Sequence, residues 1–208
     1  MLKPKTFCAA TALALLSIGS AHAAVATGKL WHVPEATTFN AVPANVPLVA
    51  PDVVFDVNTP FNFSGTSVSV GNWLASSAAF NIVENTAGTL ASLMDNGVVG
   101  TFLEFTGSVT VTNGQQFTVT HDDGLTLIIG GINLAFNPGP TAPITSLATY
   151  TGPSGNFPFQ LVYAECCGGP AVLQVNLPFT AAVPEPSTYA LMLGGLGLVG
   201  CLHRRRRV

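Results

Sequence analysis

Between residues 24 and 182 apolar side chains recur at every second position in short runs. No stretch there carries them at helical spacing over a helix of ordinary length. That alternation restricts the chain to strands. Val53-Val54-Phe55-Asp56-Val57 and Ser67-Val68-Ser69-Val70 read as strands, as do residues 125–129, 159–163 and 171–175. The sharpest local prediction is a hairpin. Residues 108–112 and 116–120 flank Asn113-Gly114, the dipeptide that supplies the positive φ angles of a type I′ turn. Alternation predicts Val109 and Val111 on one face, and Phe117 and Val119 together on a face of the next strand. Short helical turns are predicted over 75–79 and 90–94, and long loops over the proline clusters at 34–60 and 138–158. About 160 residues suffice for one core. The predicted fold class is all-β, a single antiparallel β-sandwich over residues 24–182, with an N-terminal signal peptide and a short C-terminal transmembrane helix.

The ends follow a different logic. Lys3 and Lys5 precede an apolar run over 7–18, and Ala21-His22-Ala23 offers small residues to a signal peptidase. Residues 1–23 therefore read as a secretory signal peptide cleaved before Ala24. At the other end, residues 183–188, Val183-Pro184-Glu185-Pro186-Ser187-Thr188, form a hinge, because the prolines fix φ and remove amide donors. Residues 189–202 are apolar and uncharged but fall short of the roughly 20 residues of a full membrane span. Ser187, Thr188 and snorkelling arginines extend their reach. In the basic tail, 203–208, Arg204, Arg205, Arg206 and Arg207 hold that end in the cytoplasm. The arrangement over 183–208 resembles the PEP-CTERM sorting signal of Gram-negative bacteria. The resemblance implies that an exosortase-type membrane transpeptidase recognises Val183, Pro184, Glu185 and Pro186. It further implies inner-membrane anchoring before processing, then delivery to the cell surface or extracellular matrix.

Charge narrows the function. One lysine, Lys29, stands against nine acids between 24 and 182, which leaves that segment at −8 while the whole chain is at −3. Such a surface repels phosphate backbones, so nucleic acid is excluded as a partner, whereas a cation is compatible. Within the segment only His32 and His121 could serve as ordinary general bases, no Gly-x-Ser-x-Gly elbow occurs, and the acids are scattered. The chain is expected not to be an enzyme. Export permits disulfides. Cys166 and Cys167 are adjacent, too close for ordinary disulfide geometry. Two thiols, a vicinal bond and intermolecular links all stay open. Nothing like a second Cys or His pair occurs at zinc-ligand spacing. His121 reads as a strand residue packed beside a loop, and Trp31 and Trp73 read as core.

His121-Asp122-Asp123-Gly124 is the candidate site. Two adjacent carboxylates without a basic neighbour in sequence are costly, and protonation, solvent or a cation removes the cost. A hard cation such as Ca²⁺ takes carboxylates and loop carbonyls. Side chains of successive strand residues diverge, so both converge only where the backbone departs from a regular strand; Gly124 permits that. The alternative is a turn stabilised by Asx-type bonds. The stretch 117–131 resembles the central segment of protective-antigen-like β-sandwiches, the superfamily of GLEYA-type adhesins and flocculins. Residues 157–165 and 171–175 resemble the late strand pair of that fold, and Gly28-Lys29-Leu30-Trp31 fits its opening loosely. The resemblance implies a cis Asp122–Asp123 peptide and Ca²⁺ held by both aspartates, with the ion ligating sugar hydroxyls. It places a third ligand at Glu165, where the family often has Asn, and loop carbonyls over 166–169. Two functions follow as expectations. One is a Ca²⁺-dependent carbohydrate-binding module whose partner is an exopolysaccharide. The other is a structural biofilm or floc matrix protein with no small ligand.

Overall fold

The computed structural model describes residues 25–176. The predicted signal peptide, the sorting motif, the segment 189–202 and the basic tail lie outside the described residues. Among the described residues no helix is long and apolar enough to cross a membrane.

Alternation becomes eleven antiparallel strands: β1 (Val25–Pro34), β2 (Val53–Asn58), β3 (Phe61–Thr66), β4 (Phe80–Glu84), β5 (Val99–Val111), β6 (Gln116–Asp122), β7 (Leu125–Ile129), β8 (Ile132–Asn133), β9 (Ile144–Thr149), β10 (Gly155–Glu165) and β11 (Pro170–Val175). They form two sheets, ordered β4-β2-β1-β5-β10-β7-β8 and β3-β11-β6-β9. The inward residues of both sheets make one core, in which Phe55, Phe61, Phe63 and Phe105 interlock edge-to-face and tilted. A helix, α1 (Glu35–Thr38), follows β1, and α2 (Val70–Ser76) follows β3.

The predicted hairpin does not form. β5 belongs to the seven-stranded sheet and pairs with β1 and β10; β6 belongs to the other sheet and pairs with β11 and β9. Asn113-Gly114 is a turn in a crossover between sheets. Gln115 N–H still donates to the Thr112 carbonyl, but the Asn113 side chain donates to the carbonyls of Thr151 and Gly152. The physical reason is that Val109, Val111, Phe117 and Val119 are all buried, and facing sheets bury both pairs against one core. The late strands β10 and β11 likewise part, one to each sheet.

Residues 67–70 are not a strand either. Ser67 has φ 49°, and Ser69 caps α2 by accepting from Asn72 N–H at 3.3 Å. The predicted helical turns shift accordingly: α2 ends at Ser76, and a 3₁₀ turn occupies Thr89–Ala91. The proline-rich stretch 138–158, expected to be loop, contains β9 and the start of β10.

α2 lies along the free edge of β3. The outward amides of Asn62 and Ser64 end on the hydroxyls of Ser77 and Ser76, each at 3.0 Å. Ser76→Ala or Ser77→Ala is expected to cost about 0.5–1 kcal/mol each, because water can replace the lost acceptor at an edge. Urea denaturation of the two variants and of the pair checks this, and a double variant no less stable than the parent would refute the capping role.

Candidate metal centre

Two crossovers between the sheets run side by side at one end of the molecule. β6 ends at Asp122 in one sheet and β7 begins at Leu125 in the other; β10 ends at Glu165 and β11 begins at Pro170 in the opposite sense. The Ala164 amide donates to the Gly124 carbonyl at 3.0 Å, so the crossovers are joined. Gly124 is required by close approach: a Cβ there would lie 2.1 Å from the Pro138 carbonyl oxygen.

The Asp122–Asp123 peptide bond is cis. Both aspartates line a depression of about 400 Å³ together with Thr141, Cys167, Gly168, Gly169 and the apolar walls of Pro140, Ala142, Pro143 and Pro170. Asp123 is anchored by two amides: its Oδ1 accepts from Thr141 N–H at 3.0 Å, its Oδ2 from Cys166 N–H at 2.8 Å. Asp122 Oδ2 faces Gly169, whose missing Cβ would sit 3.8 Å away.

The loop after β10 is held by acids. Three successive amides each find a different carboxylate: Cys166 N–H donates to Asp123, Cys167 N–H to Glu35 at 3.1 Å, and Gly168 N–H to Asp95 at 2.8 Å. Glu35 and Asp95 come from segments far away in sequence, and no local pattern marks them. Cys166 and Cys167 are bonded to each other. Their sulfurs lie within 4.8 Å of the Asp123 carboxylate, but a disulfide has no thiolate to offer a soft metal.

Glu165 lines a small cavity of about 40 Å³ with Ser67, Met94, Asp95, Gly168 and Gly169, and the aspartate depression is lined without it. Its Oε2 meets the Tyr163 hydroxyl at 2.7 Å, and the same hydroxyl meets the Asp122 carbonyl. A phenol has one proton, and a carbonyl can only accept. Tyr163 therefore donates to Asp122, and Glu165 must supply the proton of the remaining bond. Burial, with Asp123, Asp122 and Asp95 nearby, pushes Glu165 up to about 9, so it holds that proton at neutral pH. Glu165, Tyr163 and the Asp122 carbonyl form a short buried relay that supports the aspartates from behind.

Among the described residues no cationic side chain lines the depression. Burial and the neighbouring Asp123 push Asp122 up to about 6. Burial also raises Asp123, and the amides of Cys166 and Thr141 oppose that rise. The one basic side chain among the described residues, Lys29, is engaged with Glu104 at 3.2 Å across β1 and β5. His121 is fully buried with Nδ1 on the Asp123 carbonyl; burial lowers its pKa and keeps it neutral. Trp31 and Trp73 are both core residues. Adjacent carboxylate oxygens are the donor type that hard cations prefer.

The fold of two facing antiparallel sheets is similar to that of solved PA14 domains. The described domain is similar to a PA14 sugar-binding domain from an RTX adhesin, with a TM-score of 0.51 and 21% identity over 75% of this chain and 90% of that one. It is also similar to the PA14 domain of the MpAFP antifreeze protein, with a TM-score of 0.50 and 19% identity over 76% and 85% of the two chains. Residues 182–207 match the PEP-CTERM protein-sorting motif, so the chain carries that sorting signal. No curated protein matches the chain.

Proposed function

We propose that this chain is an exported, exosortase-processed surface protein whose two-sheet domain binds carbohydrate through a calcium ion held by Asp122 and Asp123. The sorting motif supports the route: signal peptidase at residue 23, transient anchoring through residues 189–202, then processing at the Pro184-Glu185-Pro186 hinge. The observation that carries the binding role is the pair of carboxylates in a depression with no basic residue among the described ones to neutralise them. When bound, calcium would offer open coordination positions to sugar hydroxyls. Pro140, Ala142, Pro143 and Pro170 would present carbon surface to the C–H face of the same ring. The domain acts by binding and not by catalysis, because His121 is buried and neutral and Asp123 is already bonded to the scaffold.

A glycan panel tests the reading. Full-length protein in detergent should retain specific glycans in millimolar calcium, lose them in EDTA, and lose them on Asp123→Asn. Retention that ignores both changes would overturn the calcium-dependent site. One observation favours a second reading, a matrix protein without a small ligand: both Asp123 oxygens already accept backbone amides, as a purely structural turn would require. On that reading the panel stays blank and Asp123→Asn lowers stability alone.

A further inference from the structure

The two sheets have four edges, and three are blunted. β8 is two residues long. β4 carries Glu84 and meets β2 in an irregular register. The outward amides of β3 end on Ser76 and Ser77. These are the usual protections against edge-to-edge pairing. β9 has none of them. It is six residues long, with Ile144 44% and Leu147 61% exposed, and among the described residues it pairs with β6 alone.

The register shows which groups are free. Tyr150 N–H donates to the Gln115 carbonyl, so the ladder alternation turns the amides and carbonyls of residues 148, 146 and 144 toward β6. Those of Thr145, Leu147 and Thr149 point away from the sheet. No residue from 124 to 164 is charged, in a domain otherwise strongly acidic. Two copies of such a domain repel each other over most of their surface, and this stretch adds no charge of its own to that repulsion.

The strand also complements itself. Thr145-Ser146-Leu147-Ala148-Thr149 reads as threonine, small, leucine, small, threonine in both directions. Antiparallel pairing of two copies about a two-fold axis at Leu147 sets leucine against leucine, Thr145 against Thr149, and Ser146 against Ala148. The parity fits as well, since the three positions with outward amides and carbonyls face one another and can exchange both bonds. Thr–Thr and apolar cross-strand pairs are favourable. We propose that β9 is a homodimerisation edge, joining the four-stranded sheets of two copies into one continuous sheet with closed two-fold symmetry. The proposal does not depend on calcium or on the carbohydrate reading.

Register-specific cross-linking tests it on the full chain in detergent, with Cys8 and Cys201 replaced by serine. Leu147→Cys is expected to form an interchain disulfide on mild oxidation, because hydrogen-bonded antiparallel partners have Cα atoms about 5.5 Å apart, within disulfide range. Thr145→Cys alone should not cross-link, since its counterpart lies four residues along, roughly 13 Å away. A mixture of Thr145→Cys and Thr149→Cys chains should. As a second readout, Leu147→Pro deletes only an outward amide, which an edge strand tolerates. It should convert a dimer to a monomer by light scattering with an unchanged circular dichroism spectrum. The proposal is overturned by a parent chain that is monomeric, by Leu147→Cys that stays uncross-linked, by Thr145→Cys that cross-links to itself equally well, or by a folded Leu147→Pro that remains dimeric.

Discussion

In calcium-free buffer the melting temperature is expected to fall as pH rises from about 5 to about 8, and millimolar calcium is expected to restore it at the upper end. The sign follows from which state holds the protons. Glu165 is raised to about 9, Asp122 to about 6, and Asp123 is raised as well. Each group is thus protonated in the folded chain at pH values where the unfolded chain has lost the proton. Their contribution to stability is fully present below the ordinary carboxylate range and is lost as pH climbs through the folded values, at up to about 1.4 kcal/mol per pH unit for each group in its window. On the proposed calcium reading, the ion would take the place of the protons on Asp122 and Asp123 with a better-placed positive charge. Its effect should be larger at pH 8 than at pH 5, with affinity dropping about tenfold per unit below the Asp122 midpoint. At a hundredfold excess over the dissociation constant the ion adds about 2.7 kcal/mol, or roughly 5–10 °C for a domain of this size. Asp123→Asn should abolish the calcium shift. Glu165→Gln discriminates the two roles of that residue. If it only supports Tyr163, the amide still donates, the calcium shift survives, and the alkaline part of the pH slope disappears. A third ligand at Glu165 predicts instead a weakened calcium shift. A melting temperature that calcium leaves unmoved throughout this range would sink the metal site.

Trp73→Ala is expected to destabilise the domain by about 3–5 kcal/mol, a drop near 10 °C or more in thermal unfolding. The indole is fully buried, stacks on Phe63 at 4.2 Å between centroids and 10° between planes, and donates to the Ala171 carbonyl at 3.1 Å. Truncation leaves a cavity and an unpartnered carbonyl, two costs that add. The consequence reaches the site, because Trp73 also stacks on Tyr163, with 5.9 Å between centroids, and Tyr163 holds the Asp122 carbonyl. Calcium should therefore stabilise Trp73→Ala less than it stabilises the parent. Trp73→Phe keeps most of the stack and should cost about half as much. Differential scanning calorimetry of the three proteins with and without calcium measures both effects. Equal calcium shifts in all three would break the proposed link between core and site.

Several strands were legible in the sequence because period-two alternation follows directly from which face is buried. Residues 53–57, 125–129, 159–163 and 171–175 all fall within observed strands. Ser67 to Val70 misled because a cap uses the same serine and valine that an exposed strand would. β9 was missed because an edge strand with one exposed face and flanking prolines has no apolar rhythm to detect. At the site, Asp122 and Asp123 were visible because they are adjacent. Asp95, Glu35 and Thr141 were not, since each reaches the crossovers from a different segment and has no local signature.

Sequence alone determined the sorting motif at the C-terminal end, the β character of the domain, the strong acidity of its charge and the carboxylate pair after β6. All of these are properties of neighbours along the chain. Only the tertiary structure decided that Asn113-Gly114 crosses between sheets, that Glu165 turns to Tyr163, and that three acids clamp one loop. Alternation marks the face that must be buried but carries no information about which strand will cover it. A carboxylate's role depends on the groups that packing brings within a few ångströms, and those are set by the pairing of the two sheets.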